Sequence, residues 1–196
     1  MSSVTAPTND PRDLSPTKTP RFARYGGPAI AFHWTMFVLI AFVGGLGLLF
    51  DYIPRESRLS WINIHAICGL AILALVVARM IWRATHVPPD LPGEIGEFSR
   101  RTSHAAHMLL YALMFVTPVL GIIAFVWHAR VFNFDVFQLA FPIPSTREVF
   151  HPAEGIHQYL AYCLLGLAGL HALAALWHHF VKRDVVLRRM LPGGPG

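Results

Sequence analysis

An all-α, integral-membrane four-helix bundle is predicted for this 196-residue chain by three observations. Hydrophobic residues make up 54% of the sequence and charged residues only 14%, against about 25% charged in a soluble domain. Four apolar segments each reach the roughly 20 residues that a helix needs to cross a hydrocarbon core about 30 Å thick. Lysine and arginine fall unevenly on the flanks of those segments, which sets orientation. The net charge of +5 then reads as topology bias, and nucleic-acid binding is not expected.

The elements follow in order. Residues 1–24 are rich in Pro, Ser and Thr and lack apolar periodicity, so a disordered cytoplasmic tail is expected there, followed by one transmembrane domain over residues 25–192. The first apolar run, Pro28–Phe50, continues without a small-residue cleavage site and is expected to be a retained helix. Pro28 falls in its first turn, where a missing N–H costs little. The second run is Ile62–Trp82. The third, His104–Trp127, contains Pro118, which predicts a local kink. The fourth is Glu154–Phe180. The long aromatic connection before it, His128–Ala153, is expected to lie on the membrane surface. Cys68 and Cys163 sit inside apolar runs and read as small packing residues.

Twelve basic residues flank one side of the bundle: Arg12, Lys18, Arg21 and Arg24; Arg79, Arg83, Arg100 and Arg101; Lys182, Arg183, Arg188 and Arg189. Four flank the other: Arg55, Arg58, Arg130 and Arg147. The positive-inside rule then predicts both termini in the cytoplasm.

That topology fixes the depth of the histidines. His157 and His171 lie fourteen residues apart on the fourth run. At about 1.5 Å and 100° per residue they occupy nearly the same helix face, about 21 Å apart. His33 near the start of the first run matches His171 in depth, and His65 near the start of the second matches His157. Two depth-matched imidazole pairs are what two stacked, bis-histidine haems require, since both axial positions of each iron are then filled. An isolated membrane histidine is often only interhelical glue; the matched set favours ligands. No Cys-x-x-Cys-His occurs, so the haems would be non-covalent. Small residues near the ligands, Gly44, Gly45, Gly47, Gly69, Gly166, Ala168 and Gly169, would leave room for a flat macrocycle. His104 and His107 either replace His33 as a ligand, handle protons for a quinone, or merely mark an interfacial helix start. His178 and His179 close the fourth run, where the helix dipole suits them, while His86, His128 and His151 read as surface groups.

These residues resemble a known family. The first run begins Ala31-Phe32-His33-Trp34, and the second begins Ile62-Asn63-Ile64-His65 and ends with Arg79 and Arg83. The third reads Ala106-His107-Met108-Leu109-Leu110-Tyr111 with Pro118 and Gly121 downstream. The fourth carries Leu170-His171-Ala172 through Trp177-His178-His179, then Lys182, Asp184, Leu187, Arg189, Met190, Leu191 and Pro192. Their order and spacing resemble the prokaryotic cytochrome b561 family of small four-helix dihaem cytochromes, over roughly Arg24 to Pro192. The resemblance implies two haems b, with His33, His65, His157 and His171 at the positions of the family's ligands. It also implies a multi-pass protein of the bacterial inner membrane, and superoxide:ubiquinone oxidoreductase activity of the superoxide oxidase type.

On that reading electrons enter from superoxide at the periplasmic face and reach ubiquinone. Arg58, with Arg55 and Arg130, is the candidate for steering the superoxide anion. His107, His178, Lys182 and Asp184 are candidates for proton handling at the quinone. Arg79, Arg83 and Arg101 either pair with inner haem propionates or only enforce topology. Two alternatives stand beside it. The chain accepts electrons from a periplasmic redox partner docked on Trp127, Phe132, Phe134 and Phe137, or its histidines line a non-redox metal or proton path. Oligomeric state is left open by the sequence.

Overall fold

A computed structural model describes residues 23–89, 96–128 and 130–193. The tail expected over residues 1–24 therefore lies outside the described residues, except for Ala23 and Arg24. Four long helices dominate: α1 Gly27–Leu49, α2 Arg55–Thr85, α3 Glu97–Trp127 and α4 Arg147–Trp177. All four are long and apolar enough to cross a membrane. The 31-residue helices α2, α3 and α4 measure about 46 Å, longer than a hydrocarbon core, so their ends project into the headgroup regions.

The projecting ends are polar, and they revise the expected boundaries. Helix α2 begins at Arg55, so Arg55 and Arg58 are helical rather than loop residues. Helix α3 begins at Glu97 and takes in Arg100 and Arg101. Helix α4 begins at Arg147, with Pro152 tolerated in its second turn. Pro28 sits in the first turn of α1, and Pro118 is buried inside α3.

The helices pack in chain order, with α3 against α4 as the most extensive interface and α1 touching α4 only lightly. The bundle centre is a cluster of Met36, Val76, Leu110, Leu113, Met114 and Leu164, one or more from each helix. Lipid is as apolar as these side chains, so close packing rather than water exclusion holds such helices together. Gly44 gives one example: a Cβ there would lie 2.5 Å from Leu165 Cδ2 of α4.

Both described chain ends meet at one end of the bundle. The Tyr25 amide donates to the Arg189 carbonyl, and the Arg24 guanidinium donates to the Leu191 carbonyl. At this termini end, α4 runs on into a π turn, His178–Lys182, closed by Arg183 in the left-handed region with φ 55°. A further 3-10 turn, Arg188–Met190, brings the chain back under α1. The buried Arg189 guanidinium donates to the Ala23 and Pro89 carbonyls and stacks over the Tyr25 ring. Three chain segments are thereby tied together. The opposite end carries a short antiparallel hairpin, β1 Phe132–Asn133 with β2 Gln138–Leu139. Its Phe132 is buried, so the aromatic connection is folded onto the bundle.

Candidate functional site

Two pairs of imidazoles face each other across the bundle. His33 of α1 and His171 of α4 have ring centres 6.3 Å apart, toward the termini end. His65 of α2 and His157 of α4 have ring centres 6.0 Å apart, toward the hairpin end. The pairing is the one expected from depth. Helical register explains it: fourteen residues return α4 to nearly the same face, so one helix serves both pairs.

The separations bear on what could lie between the rings. Two imidazoles on opposite faces of one metal ion, with metal–nitrogen bonds of about 2 Å, have ring centres about 6 Å apart. Both pairs fit that geometry. His157 donates from Nδ1 to the Thr117 carbonyl at 2.8 Å, which leaves Nε2 as the free lone pair. The His65 ring lies against the Val43 backbone with its Nδ1 buried. A buried imidazole in an apolar bundle is costly unless its nitrogens are hydrogen-bonded or coordinated. Bis-histidine ligation thus agrees with the donor set that the fold presents.

Helix α3 contributes no member of either pair but forms a wall for both. A Cβ on Gly121 would stand 2.8 Å from Cε1 and 2.9 Å from Nδ1 of His157, so the close seat of that ring requires glycine. At the termini end, His107 donates from Nδ1 to the Ser103 carbonyl at 2.6 Å. Its ring centre is 5.1 Å from that of His171. That is shorter than the spacing of two imidazoles straddling one ion, so the geometry favours His33 over His107 as partner of His171. His104 is exposed.

The charged candidates separate into groups. Arg79 Nη2 stands 3.5 Å from His33 Nδ1, too long to fix the tautomer. The guanidinium groups of Arg79 and Arg83 lie 5.5 and 5.9 Å from the Tyr111 ring centre, and Arg79 is the one that also reaches His33. Arg101 is not brought to this cluster; it is exposed on the first turn of α3 and paired with Glu97 at 2.8 Å. At the hairpin end, Arg58 is half-buried and donates to the Ile53 carbonyl at 3.1 Å. It precedes His65 by seven residues, hence about two turns, on nearly the same face of α2. Arg55 is exposed. Burial pulls the Arg130 guanidinium down from its ordinary value, and Glu154 opposes that, so its charge is partly answered locally. Burial and the Arg130 charge lower His128 from the ordinary imidazole value, and Glu154 opposes them.

At the termini end, His178 donates from Nδ1 to the Asp184 carboxylate, whose other oxygen accepts from the Val186 amide at 3.0 Å. The π turn makes this possible by letting the chain double back within six residues. Lys182 is exposed nearby. A cleft of about 570 Å³ opens beside α1, lined by Tyr25, Ile30, Ala31, Trp34 and Pro192 among others. Trp34 donates from its indole to the Met190 carbonyl at 2.7 Å, and its ring centre is 5.5 Å from that of His33. Sequence reasoning did not find this cleft, because the fold-back of residues 184–193 carries no periodic signal.

Comparison with known proteins agrees with this architecture. The profile of the prokaryotic cytochrome b561 family matches residues 24–193. The chain is 29% identical to a protein of Yersinia pestis named probable superoxide oxidase CybB, over 86% of this chain and 96% of that one. It is 27% identical to cytochrome b561 homolog 2 of Escherichia coli K12, over 91% and 95% of the two chains. It is 24% identical to a Cereibacter sphaeroides cytochrome b562, over 89% and 98%. The family match takes in all four helices and both imidazole pairs, and the chain therefore belongs to the prokaryotic cytochrome b561 family, bacterial multi-pass membrane proteins that bind b-type haem and transfer electrons.

Proposed function

We propose that this cytochrome is a superoxide:quinone oxidoreductase of the inner membrane with two bis-histidine haems, its termini in the cytoplasm. The observation that carries the reading is the pair of facing imidazole sets, His33/His171 and His65/His157, at the separations two ligated irons need. The likeness to a protein named probable superoxide oxidase supports the choice of donor. When bound, the haems supply one-electron transfer between the two faces of the membrane.

The chain's own residues do the rest. Two superoxide anions give up one electron each and leave as dioxygen, while one quinone takes two electrons and two protons. Arg58, two turns above His65, draws the anion toward the periplasmic end of the bundle, with Arg55 adding long-range attraction. The cleft beside Trp34 accepts the quinone head, because Trp34 packs on His33 and the apolar walls suit a quinone ring. His178, oriented by Asp184, lies at the same end of the bundle and is the proton donor, with Lys182 at the cytoplasmic mouth. Arg79 and Arg83, which converge on Tyr111, would hold the propionates of the inner haem by charge-assisted contacts.

The test is stopped-flow reduction of the purified dihaem protein by superoxide in the presence of ubiquinone. Rapid haem reduction, with one quinol formed per two superoxide consumed, supports the proposal. Reduction by soluble redox proteins but not by superoxide would transfer the assignment to an electron relay. A spectrum without b-type bands would remove both.

A further inference from the structure

We propose that the hairpin between α3 and α4 is a membrane-inserted anchor, its tip seated in the lipid leaflet at that end of the bundle. Residues 131–144 read VFNFDVFQLAFPIP, with four phenylalanines and one charge, Asp135. A loop meant for water does not carry that composition. Its apolar side chains divide between two jobs. Phe132 is 1% exposed and joins Phe125 and Val126 in a cluster packed on Ile62, Ala66, Ile67, Leu70 and Ile122. Leu70 lies five residues past His65 along α2, about 7.5 Å deeper. The base of the hairpin is therefore fixed to the membrane-embedded walls of α2 and α3, at the depth of the His65/His157 pair.

Phe134 and Ile143 pack partly against the same cluster, while the apolar side chains nearer the tip are exposed. Val136 is 88% exposed and Phe137 is 57% exposed, with Phe137 stacked on Phe134. Leu139 and Phe141 are also exposed. An apolar surface continuous with lipid-facing helix walls is covered by lipid, and aromatic side chains favour the headgroup boundary.

Entering lipid also requires that backbone groups be satisfied internally. Several backbone groups around the turn meet that requirement. Asn63 of α2 acts as a side-chain strand partner: its amide donates to the Asn133 carbonyl at 2.8 Å and accepts from the Asn133 amide at 2.9 Å. The Asp135 amide donates to Asn133 Oδ1, the Phe134 amide to the Phe137 carbonyl and the Val136 amide to the Phe134 carbonyl. With these bonds made, the apolar side chains of the tip can enter the leaflet while the Asp135 carboxylate stays at the headgroup boundary.

The experiment uses the full-length haem-loaded protein in phosphatidylcholine/phosphatidylglycerol vesicles. Single cysteines are placed by Val136→Cys and, as a same-side aqueous control, Ser145→Cys, in a C68S/C163S background of wild-type haem content. A charged, membrane-impermeant maleimide should label Val136→Cys at least about tenfold more slowly than Ser145→Cys, because nothing within the fold itself shields position 136. In parallel, the unaltered wild-type protein is labelled with a bilayer-confined carbene reagent, which should mark residues 131–143. Equal maleimide rates with no carbene label would overturn the proposal and leave the hairpin in water, as docking of a soluble redox protein requires. Protection that is lost as lipid-to-protein ratio rises would also overturn it, since a second copy of the chain would then be the cover.

Discussion

Replacing Gly121 by alanine is the sharpest test of the ligand geometry. The added methyl would lie 2.8 Å from Cε1 and 2.9 Å from Nδ1 of His157. Ordinary carbon contacts are about 3.5–4.0 Å, so the ring must yield by most of an ångström. It cannot slide freely along α3, because Nδ1 is bonded to the Thr117 carbonyl one turn earlier. Without haem the ring can rotate away at the cost of that one hydrogen bond. On the proposed ligation the haem would hold it in place, and the overlap would add strain to the loaded state. Overpacking of this size costs about 1–3 kcal/mol, or roughly 5- to 150-fold in affinity. The intrinsic helix preference for alanine over glycine applies to both states and cancels. The assay is haem-to-protein ratio and haem titration of purified Gly121→Ala, with the two haems resolved spectrally. Gly155→Ala is the control, since a Cβ there meets nothing within 4 Å. Outer haem should be weakened and inner haem kept. Full outer-haem affinity with an unchanged spectrum would refute the seat assigned to His157.

Three further outcomes are expected. His157→Ala should deplete the outer haem and spare the inner, while His33→Ala should do the reverse; the opposite pattern in haem spectra would overturn the depth pairing. Arg58→Glu should slow reduction by superoxide and flatten its dependence on ionic strength, with haem content unchanged, because salt screens steering over about 8–10 Å; equal rates across a salt series would remove Arg58 from the mechanism. Asp184→Ala should slow quinone reduction on the order of tenfold, since it removes the acceptor that orients His178, and should leave superoxide-driven haem reduction intact; an unaltered quinone rate would show that the orientation of His178 by Asp184 is not used in proton transfer.

The helices and their pairing were legible because both follow from periodicity. Apolar length gives the four spans, and the 100° turn per residue places His157 and His171 on one stripe. The ends of the helices were not legible, since Arg55, Glu97 and Arg147 extend them through polar residues where hydropathy falls silent. Arg101 illustrates the limit of composition: its charge sits on the expected flank, but its side chain turns to Glu97. The cleft at Trp34 depends on a π turn, a left-handed Arg183 and a fold-back pinned by Arg189. None of these has a repeating pattern in the sequence. Asn63 was visible only as a letter beside His65; its two bonds to Asn133, seventy residues away, are a tertiary fact.

The division of labour among the helices follows from that geometry. Helix α4 supplies one histidine to each pair, so its register sets the distance between the two centres, and a shift of α4 would move both. Helices α1 and α2 each supply one partner and answer for one centre only. Helix α3 supplies no ligand in the proposed arrangement, yet Thr117 and Gly121 seat His157, and His107 and Tyr111 stand beside the other pair with Arg79 and Arg83. Substitutions on α4 at the ligands should therefore delete a centre. Substitutions on α3 should shift a centre's affinity or potential without deleting it, because they act through ring position and nearby charge. The extensive α3–α4 interface is what makes α3 able to do this: a wall can tune the ligands only if it is packed tightly against the helix that carries them.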